Sequence, residues 1–291
     1  MSPAGLSPSA DRSNLDRVVR RVHEISTLPH VALQVMDVAN DPNSGAAEMM
    51  KIMESDPALT ARVLRYVNSS AIGLRQQITN LQYAIAYLGL KQVRNLAMTA
   101  AVSDLFKANN NPGKYDRKAL WRHLVSVGVC TRILALQLSM PEFEDLFLAG
   151  LLHDLGIILE DQYANKPFQE LMLIATEDVP FTRLEREHLG FDHTELGEKV
   201  AESWQFPEMV RAAIRRHHSS ASYTGEHLNA VRCVEVANMI CTAKGLTSIG
   251  LKWIPFIRSA FEGLSITRSD IQVLAGRLDE ELKANSALFD I

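Results

Sequence analysis

What most restricts the fold of this chain is an apolar period of the helical kind that recurs almost from end to end, with no sustained alternation of two to compete with it. Leu15, Val18, Val19, Val22 and Ile25 fall at i, i+3, i+4, i+7 and i+10, one stripe of a helix. Asp56 followed by Pro57 is a capping residue followed by a proline at the first helical position, and predicts a helix through Val67. Asn80 caps a short helix holding Ala84, Ile85 and Leu88, which Gly89 ends. Residues 91–106 carry another stripe, closed by the turn formers Asn109, Asn110, Asn111, Pro112 and Gly113. Beyond them a long helix opens at Asp116 and runs to about Ser139, stopped by Pro141. The next runs from about Glu142 to near Asp154, with Gly156 as its punctuation. Thr182 to Glu185 reads as a capping box and Asp192 to Glu195 as its aspartate analogue. Pro207 suits the start of a helix to His217, and further helices cover about 226–243 and 267–286. There is no hairpin dipeptide between apolar runs and no internal repeat. The expected fold is all-α with two helical lobes: a flexible tail over 1–13, a first lobe over 14–108, a second over 114–245 and C-terminal helices over 246–291.

Composition narrows the class. With 291 residues and 47% hydrophobic content the chain can bury a sizeable core, which rules out global disorder. A net charge of −4 gives no general attraction to nucleic acid or to an anionic membrane. The polar start, Pro- and Ser-rich, has no apolar stretch of the signal-peptide kind, and no continuous apolar run approaches a membrane span. Three cysteines, Cys130, Cys233 and Cys241, make no disulfide framework, so a reduced, cytoplasmic setting is expected.

Six of the nine histidines lie between positions 123 and 218. His123 falls mid-helix, His153 and Asp154 at a helix end, His193 at a helix start, and His217 and His218 at another helix end. Helices of these lengths with short connections can gather these groups in one crevice, where bundles commonly hold metals. Imidazole with carboxylate suits Fe, Mn, Zn or Ni better than Ca or Mg. Read singly, each has a bland explanation: the helix dipole favours His217 and His218, and His123 among Leu120, Leu124 and Val127 suits a hydrogen-bonded core. Read together, metal binding stands level with that alternative.

Other features carry less. No glycine-rich phosphate loop, nucleophile elbow or C-x-x-C pair is present. Cys233 and Cys241 share a helix face with apolar neighbours and read as core, as do Met49, Met50 and Met53, the last three alternatively as an adaptable contact surface. Arg211, Arg215 and Arg216 line a helix that can meet phosphate, though a solvated face is the commoner use.

The run from Asp56 through Asn68 to Ser70, followed by Ile78-Thr79 and by Ala84 through Leu88-Gly89 to Arg94-Asn95, resembles the signature of the HDOD family, the HD-related output domains. The second half agrees: Trp121-Arg122-His123, Gly150 to Gly156, His193 to Gly197, Trp204 to Pro207, and His217-His218. The likeness covers roughly residues 20–245. It implies an all-helical fold whose second lobe is an HD-like core, a branch of the metal-dependent phosphohydrolase superfamily. In catalytic relatives the metal is held by a histidine, an adjacent His-Asp and a later Asp, joined in the cyclic-dinucleotide branch by further histidines. By motif position these become His123, His153, Asp154, His193, His217 and His218, with Asn238 at the later acidic position.

Two departures bear on activity. Val236-Ala237-Asn238 stands where catalytic members carry Val-Ala-Asp, and Ile157 stands where many carry a phosphate-facing lysine. The resemblance therefore implies a bacterial signalling module that acts by binding a protein partner or a nucleotide-like or phosphate ligand. HDOD domains are often joined to receiver domains, for which this length leaves no room, so a stand-alone output unit or a piece of a longer protein is expected. The alternative is a metal-dependent phosphohydrolase or phosphodiesterase with His153 and Asp154 as its catalytic candidates.

Overall fold

In the computed structural model, which describes residues 8–25, 28–69, 76–107 and 113–289, four of the capping residues proposed at helix starts are engaged where they were expected. Asp56 accepts from Leu59 N at 2.9 Å and Asn80 from Tyr83 N at 2.9 Å. Asp116 accepts from Lys118 N and Ala119 N, and Asp192 from Glu195 N at 3.0 Å. Each satisfies a backbone donor that the first turn leaves open. The element order is α1 (Pro8–Ile25), α2 (His30–Asn40), α3 (Ala46–Glu54), α4 (Pro57–Val67), α5 (Leu81–Leu88) and α6 (Leu90–Ser103). Then follow α7 (Arg117–Gln137), α8 (Phe143–Leu152), α9 (Leu155–Tyr163), α10 (Asn165–Ile174), α11 (Phe181–Leu189), α12 (His193–Ser203), α13 (Glu208–Arg216) and α14 (Leu228–Ala243). The C-terminal helices are α15 (Arg258–Gly263) and α16 (Arg268–Ala284). No strand occurs among the described residues.

Helices α2 to α6 pack on one another, while α7, α8, α9, α12, α13 and α14 build the second lobe around the α7–α8 pair. Helix α7 is long and apolar enough by composition to cross a membrane, yet 78% of that stretch is packed inside the protein, as its place at the centre requires. The close approach of α7 and α8 depends on glycine: a Cβ on Gly150 would lie 2.9 Å from the Gly128 Cα. One apolar core runs from Val18 to Leu288, and Cys130, Cys233 and Cys241 sit in it as free thiols. Met49 and Met53 are core and Met50 packs against it.

Three expectations change, and others fall outside the described residues. Helix α1 begins at Pro8, so residues 8–13 are helical rather than a flexible tail; proline at a first helical position lacks only an N–H that would have no partner. Residues 1–7 and the turn formers Asn109 to Pro112 lie outside the described residues, whereas Gly113 takes a left-handed φ of 61°. Gly156 does not end a helix: it lies in the first turn of α9, where a Cβ would fall 2.0 Å from the His193 carbonyl oxygen. Thr182 is no capping residue, because Pro180 starts α11 earlier and Glu185 turns into the interior.

The polar residues of the first-half motif hold loops and lobes together. Asn68 closes the connection after α4 by donating to Ile78 O and accepting from Ile78 N, both at 2.8 Å. Arg62 ties α4 to Ala100 O and Asp104. Arg94, fully buried, donates to Asp145 Oδ1 at 2.7 Å, to Asn40 and to Asn95. Asn95 in turn donates to Glu144 O and Oε2, so α6 grips the first turn of α8. Burial opposes charge on Asp145, but Arg94 and Lys91 together hold its carboxyl below the usual range. Removing one partner of a buried pair strands the other. Arg94→Met is therefore expected to destabilise the fold by about 3–5 kcal/mol, read as a lowered urea midpoint at an unchanged m-value.

Candidate metal centre

Four helix ends and the middle of α7 deliver the centre. His123 comes from α7, His153 ends α8, Asp154 precedes α9, His193 opens α12, and His217 and His218 follow α13. His123, His153, Asp154 and His193 are fully buried and His217 is 1% exposed, while His218 is partly exposed. Asp154 stands in the middle. Its Oδ1 lies 3.1 Å from His217 Nε2 and 3.3 Å from His193 Nε2. Its Oδ2 lies 3.2 Å from His153 Nε2 and 3.5 Å from His123 Nε2. The sixth group, His218, brings Nε2 to 3.2 Å from His193 Nε2.

The outer ring nitrogens fix the tautomers. His123 Nδ1 meets Leu246 O at 2.8 Å, His153 Nδ1 meets Gly150 O at 2.8 Å and His217 Nδ1 meets Ile214 O at 2.9 Å. Carbonyl oxygens only accept, so each Nδ1 is the donor and each Nε2 of a neutral ring keeps its lone pair. His193 Nδ1 donates to the Glu185 carboxylate at 2.8 Å. The lone pairs of His123 and His153 converge, Nε2 to Nε2 at 3.2 Å, and His193 Nε2 likewise meets His218 Nε2 at 3.2 Å. Asp154 Oδ2 has no well-formed hydrogen bond despite its burial. Opposed lone pairs beside an unsatisfied carboxylate oxygen need a cation between them, and outer nitrogens tied to carbonyls and a carboxylate are how ligating imidazoles are usually oriented. The donor set thus fits a divalent metal of the Fe, Mn, Zn or Ni kind. It forms two groups that share Asp154, one with His123 and His153 and one with His193, His217 and His218.

Charge is distributed unevenly. Burial pushes His153 down to about 4, and burial with the neighbouring imidazoles holds His218 well below the ordinary value. Burial resists charge on His193 as well, yet Glu185 and Asp154 outweigh it and keep His193 well above that value. Burial likewise opposes charge on Asp154, but the surrounding histidines hold it well below the carboxylate range. Behind Glu185 lies Glu160, fully buried; burial and the Glu185 carboxylate push its carboxyl well above the usual range.

The remaining candidates fall elsewhere. Asn238 is buried on α14, with Oδ1 accepting from Thr242 Oγ1 at 3.4 Å and Nδ2 without an acceptor; no hydrogen bond joins it to the histidines among the described residues. Ile157 is fully buried in the core. Arg215 is committed to Thr194, Glu195 and Glu198, and Arg211 lies 3.7 Å from Glu202. His188 is exposed, bonded to its own helix at Leu184 O. Sequence reasoning missed Glu185. The usable signal was its place on the buried stripe of α11 with Phe181 and Leu189, a poor position for a capping carboxylate.

The HDOD domain model matches residues 25–220. This chain belongs to the HDOD family. An HDOD domain protein of unknown function from Geobacter sulfurreducens has a similar structure, at TM-score 0.77 and 25% identity over 95% of this chain and 97% of that one. A Marinobacter aquaeolei VT8 protein provisionally assigned to signal transduction gives 0.76 at 23% identity, over 99% of this chain and 66% of that one. A Shewanella amazonensis SB2B protein provisionally assigned as a metal-dependent phosphohydrolase gives 0.63 at 20% identity, over 97% and 100%. Among curated sequences, an uncharacterized protein of Treponema pallidum (strain Nichols) is 24% identical over 76% of this chain, which spans 43% of that protein's length. These likenesses place the HDOD module on the all-helical HD-related fold.

Two outcomes follow from the geometry. Glu185→Gln keeps the shape but weakens the orienting bond on His193, so metal affinity is expected to fall about 10- to 100-fold in competition against a chelator. In the metal-free protein, His153 is neutral down to about 4 whereas an unfolded imidazole protonates near 6.5. The unfolded chain then binds the extra proton, so this group lowers stability as pH falls from about 6.5 to about 4. Urea unfolding across that window is expected to show a steeper pH dependence for wild type than for His153→Gln.

Proposed function

We propose that this chain is a bacterial signalling module, working in the cytoplasm, whose histidine centre binds a divalent metal and reads a protein partner or a phosphate-bearing ligand without turning it over. What carries this reading is the uncharged chemistry at two buried positions, Asn238 and Ile157, where the resemblance sets an aspartate and a lysine. Bound metal supplies Lewis-acid polarisation of a phosphoryl oxygen. The chain itself holds the imidazoles in one tautomer, keeps water from the ligand atoms and places the single carboxylate of Asp154 among them. It brings no cation to a developing phosphate charge from position 157. A missing donor of that kind commonly lowers turnover by about 100- to 1,000-fold. The signalling assignment of the Marinobacter aquaeolei neighbour supports the same reading.

A second reading, metal-dependent phosphohydrolase, draws on one observation: the two ligand groups share Asp154, an arrangement suited to a pair of ions acting on one phosphoryl group. The Shewanella amazonensis neighbour belongs on that side.

Protein purified without chelator is expected to carry Fe, Mn, Zn or Ni by elemental analysis, and Asp154→Ala and His153→Ala to lose it. A panel of phosphomonoesters and phosphodiesters is expected to stay intact with the metal-loaded protein. Hydrolysis by the wild type that disappears in both variants would hand the assignment to the phosphohydrolase reading, and absence of metal under every supplementation would reduce the centre to a relic.

A further inference from the structure

Residues 244–257, between α14 and α15, pass over the centre and touch both of its halves. At one end Leu246 O accepts from His123 Nδ1 at 2.8 Å. Further on, the Trp253 ring lies 4.7 Å from the His218 ring and 6.3 Å from the His193 ring, centroid to centroid, with Phe181 at 5.9 Å. Lys252 N donates to Glu177 Oε1 at 2.9 Å and pins this segment to the approach of α11. Trp253 is 6% exposed, yet its Nε1–H has no acceptor, and the same holds for Ser248 Oγ at 1% exposure. By contrast the buried Trp121 indole donates to Leu288 O at 3.0 Å. Buried donors without an acceptor are rare in folded proteins, and each calls for a specific explanation.

The chemistry of the centre says what acceptor is missing. An indole N–H only donates, so its partner is an oxygen, and the bond strengthens when that oxygen is charged. A divalent cation among imidazoles, with Asp154 as the one carboxylate, leaves net positive charge that an anion would balance. Asn238 adds no negative charge and Ile157 no positive donor. The Trp253 ring packed against His218, the partly exposed member of the set, carries a neutral N–H that lacks an acceptor.

We propose that Trp253 Nε1–H is the ligand-reading donor of this centre and hydrogen-bonds a phosphate oxygen of an anion seated beside His218. The proposal rests on metal binding at the histidine set. Its subject is phosphate chemistry, from free phosphate or from a phosphate monoester.

The test uses the zinc-loaded full chain, with zinc content measured for each sample, and titrates inorganic phosphate and, separately, phenyl phosphate. In 15N-labelled wild type, one of the three indole N–H resonances is expected to move downfield on titration, and Trp253→Phe identifies it by removal. Trp253→Phe keeps an aromatic ring in place; it is expected to retain zinc and the wild-type unfolding midpoint while binding phosphate about 10-fold or more weakly by calorimetry. Stronger binding of phenyl phosphate identifies an ester as ligand and stronger binding of inorganic phosphate the free anion; either supports the proposal. Full zinc with an unmoved Trp253 resonance, or with unchanged phosphate affinity in Trp253→Phe, overturns it. Wild type that takes up no zinc removes the metal reading and this proposal together, an outcome the zinc measurement separates from the others. Should Trp253→Phe fail to fold, the wild-type resonance shift alone decides the matter, with Trp121→Phe and Trp204→Phe assigning the signals by elimination.

Discussion

A single carboxylate organises the second lobe. Asp154 is ionised and fully buried, and an isolated charge in that setting is strongly unfavourable unless cationic partners surround it. Four imidazole nitrogens lie within 3.1–3.5 Å of its two oxygens, drawn from α7, the end of α8, the start of α12 and the end of α13. The helices must therefore converge on the α8–α9 junction, and the glycines mark where they do so most tightly. Gly150 lets α8 sit on α7, and Gly156 lets α9 run against the backbone of His193. Larger side chains at either place would displace the histidines of the centre rather than merely loosen packing.

The two halves of the family signature do different physical work. In the second half the motif residues are the centre itself. In the first half, Arg62, Asn68, Arg94 and Asn95 make no contact with it; they close a loop, bind α4 to α6, and clamp α6 onto Glu144 and Asp145. That clamp lies in the first turn of α8, and the same helix ends at His153. A rigid helix of three turns thus has the first lobe fastened at one end and His153 of the candidate centre at the other. Buried polar networks of this sort specify one arrangement of the lobes more than they add stability.

Much of this was legible from the residues, and what was not has identifiable reasons. Helix starts at Asp56, Asn80, Asp116 and Asp192 depend on contacts within three residues, which sequence displays directly. The histidines were visible as an uneven distribution, and the HDOD resemblance turned that distribution into a set. Hidden from both was everything made by the backbone or across long separations. Leu246 reaches His123 through its carbonyl, a group every residue has, so no side-chain pattern announces it. Glu185 imitated a capping box because Thr182 precedes it at the right spacing, and only the burial of Phe181, Glu185 and Leu189 together reveals its true direction. Gly156 likewise looked like a stop, since the same residue type serves a helix end and a close approach.

The electrostatics also bear on the proposed choice between binding and turnover. Turnover of a phosphate ester requires positive charge or strong donors aimed at where negative charge develops, held ready before the reaction begins. Here the cationic side chains near the centre are spent elsewhere: Arg215 on Thr194, Glu195 and Glu198, and Arg186 on Asp192. The one position from which the family resemblance would aim a lysine carries an isoleucine sealed in the core. What remains are imidazoles, one shared carboxylate, and hydrogen-bond donors with no charge of their own. Such a site can hold a cation and an anion together, because binding needs only net complementarity. On the binding reading proposed above, it has little with which to favour a transition state over a ground state, and that difference, rather than affinity, is what accelerates a reaction.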